Sequence, residues 1–117
     1  MRSLAAIRVL AAVTLALGAA GCASAAPSGS PVATDRVDLP PSYKFVPAVI
    51  TVKAGTTVTW TNHDNFTHSV QLDGTAAPGQ VMHPGEQTTH TFATPGTYHY
   101  VCSFHANNMQ GEVIVTS

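Results

Sequence analysis

The sequence has 117 residues, of which 44% are hydrophobic and 9% are charged, and its formal net charge is −1 at pH 7. A chain of this length has room for one domain, and this high apolar and low charged content argues against a disordered protein. Since no run of basic residues is present, the composition also argues against nucleic-acid binding.

Residues 1–21 have the composition of an export signal. The stretch 4–20 is dominated by Ala, Leu, Val and Ile, with Arg2 and Arg8 near its start. It is short for a permanent transmembrane helix, which needs about 20 apolar residues, and small residues follow it. We therefore assign 1–21 to a signal peptide. We expect a protein exported to the periplasmic or cell-surface face of the cytoplasmic membrane.

Two processing sites compete where the signal ends. The run Ala19-Ala20-Gly21-Cys22 resembles the bacterial lipobox, in which a cysteine after small residues receives lipid and becomes the first residue of the mature protein. The alternative is ordinary cleavage after Ala23-Ser24-Ala25, which would discard Cys22. We favour lipidation of Cys22, because the alternative leaves a lone cysteine beside a cleavage site unexplained. The protein would then be a lipoprotein that is membrane-anchored only through its N terminus.

The segment 22–34 begins with this cysteine and is otherwise almost entirely Ala, Ser, Pro and Gly. Such a composition cannot bury a core and predicts a flexible tether, so the folded domain is predicted to cover 35–117. Within that domain the only cysteine is Cys102, which excludes an internal disulfide. A solitary thiol in an exported protein calls for a chemical explanation.

The sequence of this domain predicts an all-β fold. Runs over 45–52 and 56–62 are rich in Val, Ile, Thr and Trp, and the turn signal Lys53-Ala54-Gly55 between them predicts a hairpin. Further short strands are predicted, separated by Asp-Gly and Pro-Gly turns, at 68–72, 87–92, 97–102 and 112–116. No helix of useful length is visible. This spacing predicts two packed antiparallel sheets.

Alternation along these strands predicts which side chains face the core. The inward-facing residues are predicted to be Val58, Trp60, Val70, Leu72, Tyr98, Tyr100 and Cys102. His68 begins its strand in phase with Val70, so its ring is also predicted to point inward. The other four histidines are predicted not to bind the metal: His63 lies in an exposed loop, His83 lies in a turn, His90 is partly buried and hydrogen-bonded, and His99 faces outward.

A metal-binding set is concentrated near the C terminus. Cys102, His105 and Met109 place a thiolate, an imidazole and a thioether on one short loop, and His68 supplies a second imidazole. A mononuclear electron-transfer copper site requires this set, because thiolate favours Cu(I), imidazole suits both oxidation states and a weak axial Met tunes the potential. Zinc could occupy the same ligands but could not change its oxidation state there.

With these residues in view, the stretch 43–117 resembles the plastocyanin, amicyanin and pseudoazurin branch of the cupredoxins. The resemblance implies a Greek-key β-sandwich holding one type 1 (blue) copper ion. It also implies that His105 is the electron port at the solvent edge and that the metal ligands are His68, Cys102, His105 and Met109. The matching pieces are Phe45-x-Pro47, Ile50-Thr51-Val52, Gly55 to Asn62, His68-Ser69-Val70, Pro84-Gly85-Glu86, Pro95-Gly96-Thr97-Tyr98 and Cys102-x-x-His105.

Two positions depart from that pattern. The spacer Ala106-Asn107-Asn108 is intermediate in length between those of two branches of the family, so Gln110 stays open as an alternative axial ligand to Met109. Ser69 stands where many relatives have an Asn whose side chain ties the ligand loops together. The sequence therefore leaves both the rigidity around the metal and the reduction potential open.

The sequence predicts an electron carrier, not an enzyme, that exchanges single electrons with transient redox protein partners as a monomer outside the cytoplasm. The alternative is a protein of the same fold that scavenges or delivers copper, although the Met-rich or His-rich tracts typical of such proteins are absent. A third hypothesis is a metal-free structural module, for which the spacing of Cys102, His105 and Met109 would be a coincidence.

Overall fold

The structure, a computed structural model, describes residues 27–117. The predictions for the signal peptide, Cys22 and residues 23–26 of the tether lie outside these residues. The described strands are β1 (Val32–Ala33), β2 (Arg36–Leu39), β3 (Val49–Lys53), β4 (Thr56–Asn62), β5 (His68–Leu72), β6 (Gln80–Met82), β7 (Gln87–Phe92), β8 (Gly96–Val101) and β9 (Gln110–Thr116). Within 27–117 no helix is long and apolar enough to cross a membrane.

The strands form two sheets that pack as a sandwich. One sheet has the order β1-β3-β9-β8-β5-β6 and the other has the order β2-β4-β7. Three neighbouring pairs, β1 with β3, β3 with β9 and β2 with β4, are parallel, whereas the remaining pairs are antiparallel. The predicted all-β sandwich is therefore confirmed, but its sheets are mixed, because the chain often crosses between sheets before it pairs.

The hairpin predicted between β3 and β4 is wrong, since the two strands lie in opposite sheets. The turn between them is a crossover whose amides bond to both sheets. Ala54 N donates to Thr116 O at 2.7 Å in one sheet, and Gly55 N donates to Phe92 O at 2.7 Å in the other. Both strands are apolar on one side, and they bury these sides by facing each other across the core.

The core lies between the sheets and contains the predicted inward-facing residues. Trp60 and Tyr100 are fully buried, with ring centroids 5.4 Å apart at an interplanar angle of 80°. Val58, Val70 and Cys102 are buried as well, while Leu72 and Tyr98 are partly buried and pack against the same cluster. Edge-on aromatic pairs of this kind add to the stabilisation from area burial alone.

The structure contains three short strands that the sequence did not predict. β1 pairs with β3 through Val32 and Ala33, so the sheet begins before residue 35. β2 runs parallel to β4 and buries Val37 and Leu39. β6 pairs with β5 and places Met82 opposite His68. Each is two to four residues long, too short for its alternation to stand out in the sequence.

One end of the sandwich gathers the loops that carry the predicted ligands. At this end, called the site end below, β4 ends at Asn62, β5 begins at His68, β8 ends at Val101 and β9 begins at Gln110. Val101 and Gln110 pair directly, so the loop 102–109 projects from two adjacent strands. This topology brings Cys102 and His68 together from positions that are far apart in sequence.

Candidate metal centre

Three predicted ligands meet at the site end. The ligand atoms of His68, Cys102 and His105 all lie within 4.8 Å of one another, and this is the one group of three such residues within 27–117. The Cys102 Sγ atom is 3.7 Å from Nδ1 of His68 and 3.7 Å from Nδ1 of His105. Cys102 and His68 are fully buried, whereas His105 is half-buried.

The ligand loop 102–109 is closed by its own backbone hydrogen bonds. Cys102 N donates to Met109 O at 3.1 Å, while His105 N donates to Cys102 O at 3.0 Å and Met109 N donates to His105 O at 2.9 Å. The Met109 side chain is fully buried at the site end of the core. The Gln110 amide instead donates to Ala106 O at 3.2 Å, so its nitrogen is engaged along the loop.

Asp64 fixes the orientation of the His68 ring. His68 Nε2 donates to Asp64 Oδ2 at 2.8 Å, and both side chains are buried. This hydrogen bond holds the pKa of the Asp64 carboxyl below its ordinary value. With the proton kept on Nε2, the Nδ1 lone pair faces the Cys102 sulfur and is free for a metal. The prediction missed Asp64; the available signal was a carboxylate four residues before a ligand histidine.

Asn62 organises the loop that carries Asp64. The Asn62 side chain is fully buried, and its amide nitrogen donates to Phe66 O at 2.8 Å and to Met82 O at 3.0 Å. Its Oδ1 accepts from Asp64 N at 2.9 Å. A buried amide satisfied in this way specifies one loop conformation, since each lost bond would leave a buried polar group unpaired.

Hydrogen bonds between Ser69 and Ser103 link the two ligand loops, in place of the Asn side chain that many relatives have. Ser103 N donates to Ser69 Oγ at 2.9 Å, the two hydroxyl oxygens are 2.9 Å apart, and the Ser103 hydroxyl donates to Pro78 O at 3.2 Å. Ser69 N also donates to the Cys102 sulfur at 3.4 Å. The loop of His68 is thus bonded directly to the loop of Cys102 without an Asn.

An aromatic patch, consisting of Tyr43, Phe66, Phe104 and His105, covers the outer side of the site. The Tyr43 ring stacks on Phe66 at 5.6 Å and meets the His105 ring at 4.7 Å and the His68 ring at 5.8 Å. Phe66 is 55% exposed and Phe104 is 51% exposed. His105 therefore reaches solvent through an apolar surface, and Tyr43 is a part of it that the sequence did not reveal.

The remaining histidines lie outside the site, as predicted. His63 contacts Asp38 at 3.1 Å and His99 contacts Glu112 at 3.2 Å, both at exposed or half-exposed positions. The other two contact Thr67 and Phe92: His83 Nδ1 lies 3.1 Å from Thr67 Oγ1, and the His90 ring packs on Phe92 at 4.7 Å.

The donor set fits a type 1 copper ion. A buried thiol lies between two imidazole nitrogens, and a buried thioether is on the same loop. Softness of the sulfur favours copper, and imidazole nitrogen supports both of its oxidation states. The hydrogen bonds of Asp64 and Ser69 to the ligand residues provide the outer support that such sites need.

Comparison with known proteins agrees with the fold and the site. The family model described as a cupredoxin-like domain matches residues 8–115. Amicyanin-alpha from Methylorubrum extorquens is 32% identical over 120 residues, which cover 98% of this chain and 99% of that protein. The chloroplastic plastocyanin of Tetradesmus obliquus is 42% identical over 83 residues.

The matched region covers 61% of this chain and 57% of that plastocyanin, so the chain spans little more than half the length of this relative. A solved structure of a reduced amicyanin variant has a TM-score of 0.64 and 35% identity, and the match covers 79% of this chain and 97% of the variant. The family model, the near full-length amicyanin match and the structural similarity agree. This chain belongs to the cupredoxin-like family.

Proposed function

We propose that this protein is an electron carrier in which His68, Cys102, His105 and Met109 would hold one copper ion. The observation that carries the proposal is the buried Cys102 sulfur, 3.7 Å from each of two imidazole nitrogens. Met109 is favoured over Gln110 because its thioether side chain is fully buried, whereas Gln110 is only half-buried and its amide nitrogen donates to Ala106 O. The amicyanin and the plastocyanin that this chain resembles are electron carriers, which supports a carrier and not an enzyme.

The protein chain holds the ligand atoms rigidly and leaves His105 accessible to a redox partner. Bound copper supplies a reversible one-electron change. The loop hydrogen bonds and the Ser69–Ser103 tie hold the ligand atoms in fixed positions, so little rearrangement accompanies the change of charge. Asp64 keeps the His68 proton on Nε2. The aromatic patch excludes water from the ligands while leaving His105 half-buried at the surface, where a partner can approach it.

The partner contact is small and transient. An exposed apolar patch of a few side chains fits the weak class of interface, which buries less than about 1,200 Å². The loop 102–109 contains no Asp, Glu, Lys or Arg. Docking should therefore depend on apolar contact, with little sensitivity to ionic strength. A monomer is sufficient for this function.

The proposal includes export and a lipid anchor at Cys22. Support comes from the signal-like stretch 1–21 and from the small residues before Cys22. Labelling of producing cells with a palmitate analogue should mark the wild-type protein and not the Cys22→Ser variant. A wild-type protein without label, released in soluble form after cleavage, would show that Cys22 is not lipidated.

Electron self-exchange separates an electron carrier from a copper-delivery protein. Mixing the Cu(I) and Cu(II) forms should give exchange-broadened ring resonances of His105 in NMR spectra. Both forms should also keep their copper against a Cu(I)-specific chelator, because the ligands are preorganised. Slow self-exchange together with rapid loss of Cu(I) to the chelator would instead identify a delivery protein.

A further inference from the structure

The N-terminal chain enters the fold from the site end. β1 is parallel to β3, and β3 is parallel to β9. β9 begins directly after Met109, so all three strands run away from the site end. The chain that precedes Val32 must therefore arrive at the end of the sandwich where the ligands lie, while Thr116 lies at the opposite end.

The position of the first described residues agrees with this direction. Pro27 and Ser28 line a cavity of about 260 Å³ together with Asn107 and Asn108 of the ligand loop. Lys44, the residue after Tyr43, lines the same cavity. The N-terminal segment thus lies beside the loop that holds His105 and Met109.

Few residues separate this point from the lipid attachment site. Cys22 precedes Pro27 by five positions, and a chain of that length spans at most about 18 Å when fully extended. The seven residues of β9 place the opposite end of the sheet about 20 Å farther from the ligands. A lipid at Cys22 would therefore hold Pro27, and with it the site end, within about 18 Å of the membrane, whereas the tether places no such limit on the opposite end.

We propose that the anchor turns the copper site toward the membrane, so that the redox partner is a membrane protein presenting its docking surface at the lipid boundary. The proposal rests on the function proposed above, in which Cys22 carries the lipid. The chemistry of the ligand loop is compatible with it. The loop has no acidic residue, its exposed residues are Phe104 and the uncharged residues 106–108, and the charged residue that lines the cavity is the cation Lys44. Such a loop is not repelled by anionic lipid.

The orientation can be tested without copper and without natural lipidation. The protein beginning at Cys22 is coupled through that thiol to a maleimide lipid in bicelles that contain a gadolinium-chelating lipid. Cys102 is fully buried and is protected from the coupling. The matched control carries Cys22→Ser and Ser117→Cys, which moves the attachment point to the opposite end.

With attachment at Cys22, the amide signals of residues 104–108 should be broadened most, and those of Gly55 and Gly96 least. The control should reverse this order. Equal broadening of both ends, or stronger broadening of Gly55 and Gly96 with attachment at Cys22, would overturn the proposed orientation.

The redox consequence is tested with the same two attachments. In bicelles containing a ferrocenium-bearing lipid, one electron passes from the Cu(I) protein to ferrocenium, giving Cu(II) protein and ferrocene. Oxidation should be severalfold faster with attachment at Cys22 than at position 117, while dissolved ferricyanide should oxidise both at the same rate. Equal rates with the ferrocenium lipid would overturn the inference about a membrane partner. Failure to load copper would refute the proposed function and leave the orientation to the relaxation measurement.

Discussion

Asp64 acts on the metal site through His68. The carboxylate is buried, accepts from the ligand ring at 2.8 Å and also accepts from the backbone amide of Asn65 at 2.7 Å. A carboxylate behind an imidazole ligand fixes the tautomer and raises the basicity of the ring. A fixed negative charge there also favours the more positive oxidation state of a bound metal.

We expect Asp64→Asn to raise the reduction potential and to lower the affinity for Cu(II) by about 10- to 100-fold. The amide keeps the shape of the side chain but removes the negative charge. Asp64→Glu is the matched control and should retain most of the wild-type potential. Redox titration followed at the copper absorption band gives both values. A potential for Asp64→Asn equal to that of the wild type would show that the carboxylate only packs against His68.

Ser69 contributes to stability because its hydroxyl is buried and bonded. Replacing it with Ala leaves Ser103 N without its acceptor, and an unpaired group of this kind costs about 1–3 kcal/mol. Thr57→Ala is a suitable control, since it breaks a hydroxyl pair of similar length, 2.7 Å to Thr91, at an exposed position. Urea unfolding of the copper-free proteins should show a clear loss for Ser69→Ala and a small one for Thr57→Ala. Equal losses would contradict the role of the tie.

At the scale of elements, β8 and β9 depend on one close contact. Gly111 pairs with Tyr100, and a Cβ atom on Gly111 would overlap the Tyr100 ring. Only a residue without a side chain fits beneath this ring, which is itself fully buried against Trp60 and Phe45. The position of β9, and with it the end of the ligand loop, is therefore tied to an aromatic residue of the core.

Gly111→Ala should destabilise the protein by about 1–3 kcal/mol, the usual cost of overpacking a core. The same substitution in a Tyr100→Leu background should cost less, because the shorter side chain ends before the point of overlap. Thermal unfolding of the four proteins of this cycle measures the coupling between the two positions. If the two substitutions add without coupling, the contact is not the cause of the loss.

The strands themselves were largely predictable from sequence, and their partners were not. β4, β5 and β7 match the predicted bounds, because each is a run of β-favouring residues between clear turn signals. The turn residues at Lys53–Gly55 predict a hairpin, because turn residues indicate a change of direction but not which sheet receives the next strand. The parallel partners of β2 and β3 depend on contacts far along the chain, for which no local pattern exists.

At the scale of the whole molecule, the sequence predicts the metal ligands but not the residues that hold those ligands in place. The order of Cys102, His105 and Met109 on one loop, with His68 in phase with the core, was enough to bring three ligands to one end. Asn62, Asp64 and Tyr43 were missed, because their roles follow from loop conformations that no periodicity encodes. The tie through Ser69 likewise emerged only from its position opposite Ser103.

The entry of the N-terminal chain beside the ligand loop is a property of the whole fold. It results from two successive parallel pairings, and it places the lipid attachment proposed at Cys22 on the same side of the domain as the metal ligands. An electron carrier tethered in the proposed way would diffuse less freely but would have a high local concentration near membrane partners.

The most direct test of the central claim is the visible absorption spectrum of the copper-free protein, beginning at residue 22 and carrying Cys22→Ser, during titration with Cu(II) and then ascorbate. The account predicts an intense thiolate-to-copper charge-transfer band that saturates at one equivalent, bleaches on reduction and returns on oxidation. The Cys102→Ser variant should lack the band. A correctly folded protein that takes up Cu(II) without this band would contradict the assignment of Cys102 as a ligand, and with it the electron-carrier function.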